Sequence, residues 1–180
     1  VILRGGTNGD GGDVDGAVGR ALVLAGPLDM SGGGDDATAG NFILSTGGNL
    51  TIDGAISANG RVATSTGGFV DLKAGIATGD ATLVANKTID VSAGTGSDAG
   101  DIRLAACRLD VQPSVLLDAR SALTTTRPAL QLAAKSTLTL GAGTRFLAAP
   151  GSGTLLVRAP STSVSIAGDA TFNPPAVTTI

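Results

Sequence analysis

Several residue types are absent or scarce in this 180-residue chain, and each absence narrows what the chain can do. There is no His, so a Ser-His-Asp triad, a Cys-His pair and any His-ligated metal are impossible. There is no Trp or Tyr and there are only four Phe, so the hydrophobic core must be narrow and filled with Leu, Val, Ile and Ala. The single Cys107 cannot form an internal disulfide.

Charged residues are also unevenly represented. All 15 acidic residues are Asp and there are only three Lys. Because Glu and Lys favour helices and are depleted in strands, their scarcity predicts an all-β chain. The net charge is −3 and no Lys/Arg cluster occurs, so nucleic acid is not expected as a partner. No run of about 20 apolar residues occurs, so we expect no membrane insertion.

The chain instead contains a recurring pair of short apolar triplets. Leu50-Thr51-Ile52 and Leu138-Thr139-Leu140 are examples, each with apolar outer residues and a polar middle one. This alternation at period two indicates short strands with one buried face. Their repetition predicts stacked units, none of which can bury its apolar face alone.

The repeat predicts a right-handed parallel β-helix, or β-solenoid, with about three short strands per turn of roughly 20 residues. The segment Val70-Asp71-Leu72 does not fit this spacing, and is either a shortened turn or a third strand of the preceding turn. We expect a single domain spanning residues 1–180. It comprises a Gly/Asp-rich N-terminal segment at 1–20, solenoid turns at 21–168 and a Pro-containing tail at 169–180.

The Gly/Asp-rich N-terminal segment holds the candidate metal ligands. Asp10, Asp13 and Asp15 could gather around Ca²⁺, a hard cation that prefers oxygen ligands, and a solvated turn is the alternative. Two further acidic loops, at 32–36 and 95–100, are expected on the same edge of the solenoid. No other cofactor is predicted.

Catalysis would require paired carboxylates on the outer surface. The alternative function is a carbohydrate-binding module, or a polysaccharide lyase or hydrolase of β-helical fold that uses Asp101 with Arg103, or Asp90 with Asp110 on neighbouring turns. The same residues are also the expected polar middles of strands, and no Trp or Tyr is available as a sugar platform. We therefore predict no enzyme and no catalytic residue.

The ends of a solenoid leave backbone edges open, and proteins must cap or use them. Both terminal segments have strand-forming residues, and we expect one or the other to add to an adjacent subunit as a donated strand. The assembly candidates are Val1, Ile2, Leu3, Ala176, Val177 and Ile180. The expected partners are other copies end to end or the rest of a longer solenoid, and also surface glycans. A first residue of Val rather than Met indicates a processed or truncated chain.

Two segments carry a family resemblance. Residues 47–60 and 67–72 resemble the Gly-Gly-x-Leu-x-Ile and Ile-x-Ala-x-Gly repeats of filamentous-haemagglutinin-like exoproteins, and more broadly the right-handed β-helical passengers of large bacterial surface proteins. The resemblance covers roughly residues 20 to 166. It implies a secreted or cell-surface location and a structural role, as an adhesin shaft or a filament subunit. The family's Asn-Pro-Asn secretion motifs are missing, so this chain is not its secretion domain.

Overall fold

The computed structural model describes residues 2–3, 5–6, 9–75, 79–123 and 129–148, and the strands at 155–158, 164–166, 171–173 and 178–179. These residues contain strands, turns and bends and no helix. In chain order the strands are β1 (Val14–Val18), β2 (Leu22–Leu24), β3 (Leu28–Asp29), β4 (Phe42–Thr46), β5 (Leu50–Ile52), β6 (Ile56–Ser57), β7 (Phe69–Ala74), β8 (Thr82–Ala85), β9 (Ile89–Asp90), β10 (Asp101–Val111), β11 (Leu116–Ala119), β12 (Leu130–Leu140), β13 (Arg145–Ala148), β14 (Leu155–Arg158), β15 (Val164–Ile166), β16 (Thr171–Asn173) and β17 (Thr178–Thr179).

The strands form three parallel ladders, which are the three faces of a β-solenoid of about 5 coils. The first face contains β1, β4, β7, the first halves of β10 and β12, and then β14 and β17. The second face contains β2, β5, β8, the second halves of β10 and β12, and β15. The third face contains β3, β6, β9, β11, β13 and β16. The predicted all-β solenoid with three strands per coil is confirmed.

The observed coil is longer than the sequence analysis predicts. Val14 pairs with Phe42 and Phe42 pairs with Val70, which gives about 28 residues per coil instead of roughly 20. The shorter figure came from aligning triplets of different faces: Leu24 lies on the second face of one coil and Leu44 on the first face of the next. That step covers less than one full coil.

The segment that did not fit the predicted spacing is an ordinary part of the solenoid. Val70 and Leu72 belong to β7, which is the first-face strand of its own coil. Leu83 lies on the second face of the same coil, in β8. The segment is therefore neither a shortened turn nor a third strand of the preceding turn.

The alternation of the triplets builds the core. Leu50, Leu83, Leu109 and Leu138 follow one another in register along the second face, and each is at most 1% exposed. Full burial of one such side chain stabilises the fold by about 1.5–3 kcal/mol. The core runs from coil to coil as one continuous cluster.

Glycines make close stacking possible at the corner before the first face. Gly12, Gly40, Gly68 and Gly100 precede successive first-face strands. A Cβ added at Gly68 would lie 2.0 Å from the carbonyl oxygen of Gly40, and one at Gly100 would lie 1.5 Å from that of Gly68. Since no side chain tolerates such contacts, bare backbone is required where the coils touch.

The solenoid begins inside the predicted N-terminal segment. Strand β1 lies within residues 1–20, and Ile2 forms a parallel bridge with Asp29 of β3. The predicted tail, 169–180, contributes β16 and β17 to the ladders. Of the predicted assembly residues, Val1, Ala176, Val177 and Ile180 lie outside the described residues.

Candidate functional site

Three aspartates, at or next to the last residue of their third-face strands, make the same local hydrogen bond. Asp29, Asp90 and Asp118 each accept a hydrogen bond, through Oδ1, from the backbone N–H two residues later, at 3.2, 2.9 and 3.1 Å. This is the local Asx turn that these side chains favour where a strand gives way to a loop. Their carboxylates are therefore part of the coil's construction.

The ion pair with the shortest N–O distance among the described residues is on this face. Arg120 Nη2 donates to Asp118 Oδ2 at 2.6 Å and Nε donates to Oδ1 at 2.9 Å, a bidentate geometry. The hydrogen bond with Asp118 raises the pKa of the Arg120 guanidinium; burial partly opposes this, and the charges of Asp118 and Asp90 reinforce it. Because its pKa is raised, Arg120 keeps its positive charge at and above the usual arginine value, and that charge is lost only as the pH rises through the raised pKa.

Four charged side chains form a patch on the first face. This charged patch consists of Asp71 and Lys73 on β7 with Asp101 and Arg103 on β10, and Asp71 lies opposite Arg103 in the register. Lys73 Nζ lies 2.8 Å from Asp71 Oδ2, and Arg103 Nη2 lies 3.5 Å from Asp101 Oδ2. The two carboxylates are buried, whereas both cations are exposed. The patch therefore presents its positive groups outward over buried negative ones.

A groove of about 310 Å³ opens beside the charged patch. Its walls include Asn41, Phe69, Asp101 and Arg103, and the rest is glycine backbone. The Arg103 Cζ lies 4.8 Å from the centre of the Phe69 ring, within the range of a cation–π contact. Asn41 Oδ1 accepts a hydrogen bond from the Phe69 N–H at 3.1 Å, which fixes the amide. The groove thus combines an aromatic ring, a carboxylate, a guanidinium and an amide.

The structure separates one of the two residue pairs considered for the enzymatic alternative and keeps the other together. Asp90 lies on the third face in β9, whereas Asp110 lies on the second face in β10, so the structure does not bring these two carboxylates to one face. The carboxylate paired in register with Asp90 is Asp118, 28 residues further on. Asp101 and Arg103 do lie together, as expected for alternate residues of one strand. The 28-residue step was the signal that would have placed Asp118 beside Asp90.

The predicted calcium ligands are engaged in stacking the first two coils. Asp10 Oδ1 accepts a hydrogen bond from the Thr38 N–H, and Asp13 Oδ1 accepts one from the Asn41 N–H, each at 2.7 Å. Asp15 is exposed on β1. Within the part of the chain that the structure describes, no three acidic or Cys side chains form a group able to hold a metal ion. The first two acidic loops do lie on one edge, since residues 9–12 bond to residues 33–40.

The first coil is less well buried than those above it. We call Val14, Val18, Leu22 and Leu24 of β1 and β2 the coil-1 edge; all four are only partly buried against the core. Among the described strands, β1 pairs only with β4, and β2 only with β5. Two of the predicted assembly residues also pair within the chain: Ile2 forms a parallel bridge with Asp29, and the Leu3 N–H donates to the Asp29 carbonyl at 2.6 Å.

No protein-family model, curated protein or solved structure matches this chain. In the described residues there is no helix of the length and apolarity needed to cross a membrane.

Proposed function

We propose that this chain is an extracellular structural β-solenoid, either a length of an adhesin shaft or a subunit of a bacterial surface filament, that stacks on further coils through its coil-1 edge. The observation that carries the proposal is the burial of one column of side chains. Leu22 is only partly buried, whereas Leu50, its partner in the second coil, is fully buried. One further coil would complete the burial of the first.

The backbone of the coil-1 edge supports the same proposal. Strands β1 and β2 present N–H and C=O groups on the side away from the second coil, and such edges pair readily with another strand. Proteins that keep an edge unpaired often place charged side chains, Lys above all, or Pro there. Neither β1, with the sequence Val-Asp-Gly-Ala-Val, nor β2, Leu-Val-Leu, contains Lys or Pro, and Asp15 is the one charged residue of the two strands.

The extracellular part of the proposal draws on the family resemblance. Residues 47–60 and 67–72 are similar to the repeats of filamentous-haemagglutinin-like exoproteins, whose solenoids serve as surface shafts. In this chain residues 47–57 form the corner before β5 and then β5 and β6, so the similar residues belong to the stacked faces. A mechanical role needs only such regular stacking, since the turns support one another along the rod.

Assembly of the purified chain tests the proposal. Size-exclusion light scattering across concentration and negative-stain electron microscopy should show end-to-end oligomers for the wild type. Leu24→Asp places a charge on the inward side of the coil-1 edge and should abolish them. The matched control is Val23→Asp, because Val23 is the neighbouring residue but faces outward and is 56% exposed. A strictly monomeric wild type, or equal loss of assembly in both variants, would contradict stacking through this edge.

A further inference from the structure

The groove on the first face stays open because side chains cannot fill it. Its glycine lining includes Gly67, Gly68 and Gly100. A Cβ at Gly67 would lie 2.0 Å from the carbonyl oxygen of Val91, and one at Gly100 would meet that of Gly68 at 1.5 Å. Coil stacking therefore keeps this surface bare, and its volume of about 310 Å³ is at the lower end of small-molecule sites.

The polar groups of the groove offer hydrogen bonds of both kinds. Asp101 is 5% exposed and supplies carboxylate oxygens. The Arg103 guanidinium is 3.5 Å from Asp101, at the outer limit of a hydrogen bond, so its N–H groups retain capacity to donate. Asn41 uses Oδ1 to accept from Phe69, and among the described residues its Nδ2 has no acceptor. Two donors and one acceptor thus converge beside an aromatic ring.

These donors and acceptors suit a ligand that carries hydroxyl groups on adjacent carbon atoms. A hydroxyl both donates and accepts, so one hydroxyl can donate to Asp101 while its neighbour accepts from Arg103 or Asn41. The Phe69 ring gives an apolar wall for the C–H groups of the same molecule. We propose that this groove binds a neutral pyranose unit of a polysaccharide.

The charged residues around the groove favour a neutral sugar over an anionic one. The charged patch contains two carboxylates, Asp71 and Asp101, and two cations, Lys73 and Arg103. Of these four residues only Asp101 and Arg103 line the groove, so an anionic group that contacted Arg103 there would also lie close to the Asp101 carboxylate. A neutral sugar avoids this repulsion. This activity is separate from stacking, because the groove is built from the second to fourth coils and the coil-1 edge from the first.

Chemical-shift mapping tests the proposal on the 180-residue chain. The ¹⁵N-labelled protein is titrated with cellobiose, maltose and lactose, and separately with methyl glucuronide and inorganic sulfate. At least one neutral disaccharide should shift the amides of Gly68, Phe69, Gly100 and Arg103, with a Kd of about 1–10 mM. No shift in this group with any of the three at about 50 mM, or shifts with the anionic probes alone, would overturn the proposal.

Two variants connect binding to Arg103. Arg103→Lys keeps the charge but loses the planar fork, and should weaken disaccharide binding at least tenfold. Arg103→Gln, with an uncharged amide in place of the guanidinium, should weaken binding to a similar extent. It replaces the lysine variant in the test if circular dichroism shows that the lysine variant folds poorly. The matched control is Arg61→Lys, which changes an arginine in a 2.7 Å ion pair with Asp29 on the third face. Binding unchanged in both Arg103 variants, or weakened equally by Arg61→Lys, would contradict the assignment.

Discussion

The first and third coils place leucines at the same inward position, yet bury them differently. Leu22 of the first coil is partly buried, whereas Leu83 of the third is fully buried, and both align in register with Leu50 between them. The residue type and strand position are the same. What differs is the presence of coils on both sides. In a solenoid, the burial of a residue is completed by its neighbouring coils.

Corner glycines show the same difference. A Cβ at Gly26 of the first coil would meet nothing within 4 Å, while a Cβ at Gly54 of the second coil would lie 1.9 Å from the carbonyl oxygen of Gly26. Gly19 and Gly47, at another corner, show the same difference. A Cβ added at Gly19 would meet nothing within 4 Å, whereas one added at Gly47 would lie 2.4 Å from the Gly19 carbonyl oxygen. At these two corners, glycine is therefore required only where the backbone of a preceding coil lies against it.

The largest expected effect is the loss of a leucine from the buried column. Leu83→Ala should lower the free energy of unfolding by about 3–4 kcal/mol, because a cavity forms between two fixed coils. Leu22→Ala removes the same atoms from a partly exposed site and should cost about 1 kcal/mol. Urea unfolding followed by far-UV circular dichroism measures both. Equal losses of stability would show that the first coil buries its leucine as effectively as the third coil does.

The paired glycines should give the next largest difference. Gly54→Ala forces its Cβ against the Gly26 carbonyl and should cost about 2–3 kcal/mol through displacement of the corner. Gly26→Ala makes no such contact and should change the stability by at most about 0.5 kcal/mol. The same unfolding assay separates them, and a Gly54→Ala variant as stable as the wild type would show that the corner can relax.

The general fold was predictable from the sequence because inside-outside alternation is a local property. Triplets such as Leu50-Thr51-Ile52 carry it whatever surrounds them, and they do form the buried strands. The coil length was missed because triplets of different faces look alike. The glycines at 12, 40 and 68 show the true 28-residue step, since each precedes a first-face strand. The need for glycine at Gly40 and Gly68, however, comes from a carbonyl one coil away, which a local pattern does not reveal.

The candidate site was less predictable, for the same reason. Asp101 and Arg103 were recognised because they are two residues apart on one strand. Asn41 and Phe69 lie on two other coils, and register alone brings them to the same groove. Asp10 and Asp13 suggested a metal site by their proximity in sequence, yet their carboxylates accept hydrogen bonds from the next coil.

A smaller difference is expected between two third-face aspartates. Asp118→Ala removes the buried acceptor of the Arg120 side chain and backbone N–H and should cost about 2 kcal/mol. Asp29→Ala in the first coil should cost about 1 kcal/mol, because the Asp29 side chain is 24% exposed and water replaces its bonds. Thermal unfolding at neutral pH compares them. A larger loss for Asp29 would mean that the first coil depends on its polar contacts more than on its core.

The smallest expected effect is that of calcium on the first coil. Because Asp10 and Asp13 already accept backbone hydrogen bonds from the second coil, millimolar Ca²⁺ or excess EDTA should leave the melting temperature unchanged within about 1 °C. Asp10→Asn keeps an Oδ1 acceptor and should be nearly neutral, whereas Asp10→Ala should cost about 1 kcal/mol. A site that bound Ca²⁺ at 100 times its Kd would add about 2.7 kcal/mol of stability. A clear rise in melting temperature with Ca²⁺ that is lost in Asp10→Asn would therefore show that these carboxylates hold a metal and that the first coil is completed by an ion as well as by a neighbouring coil.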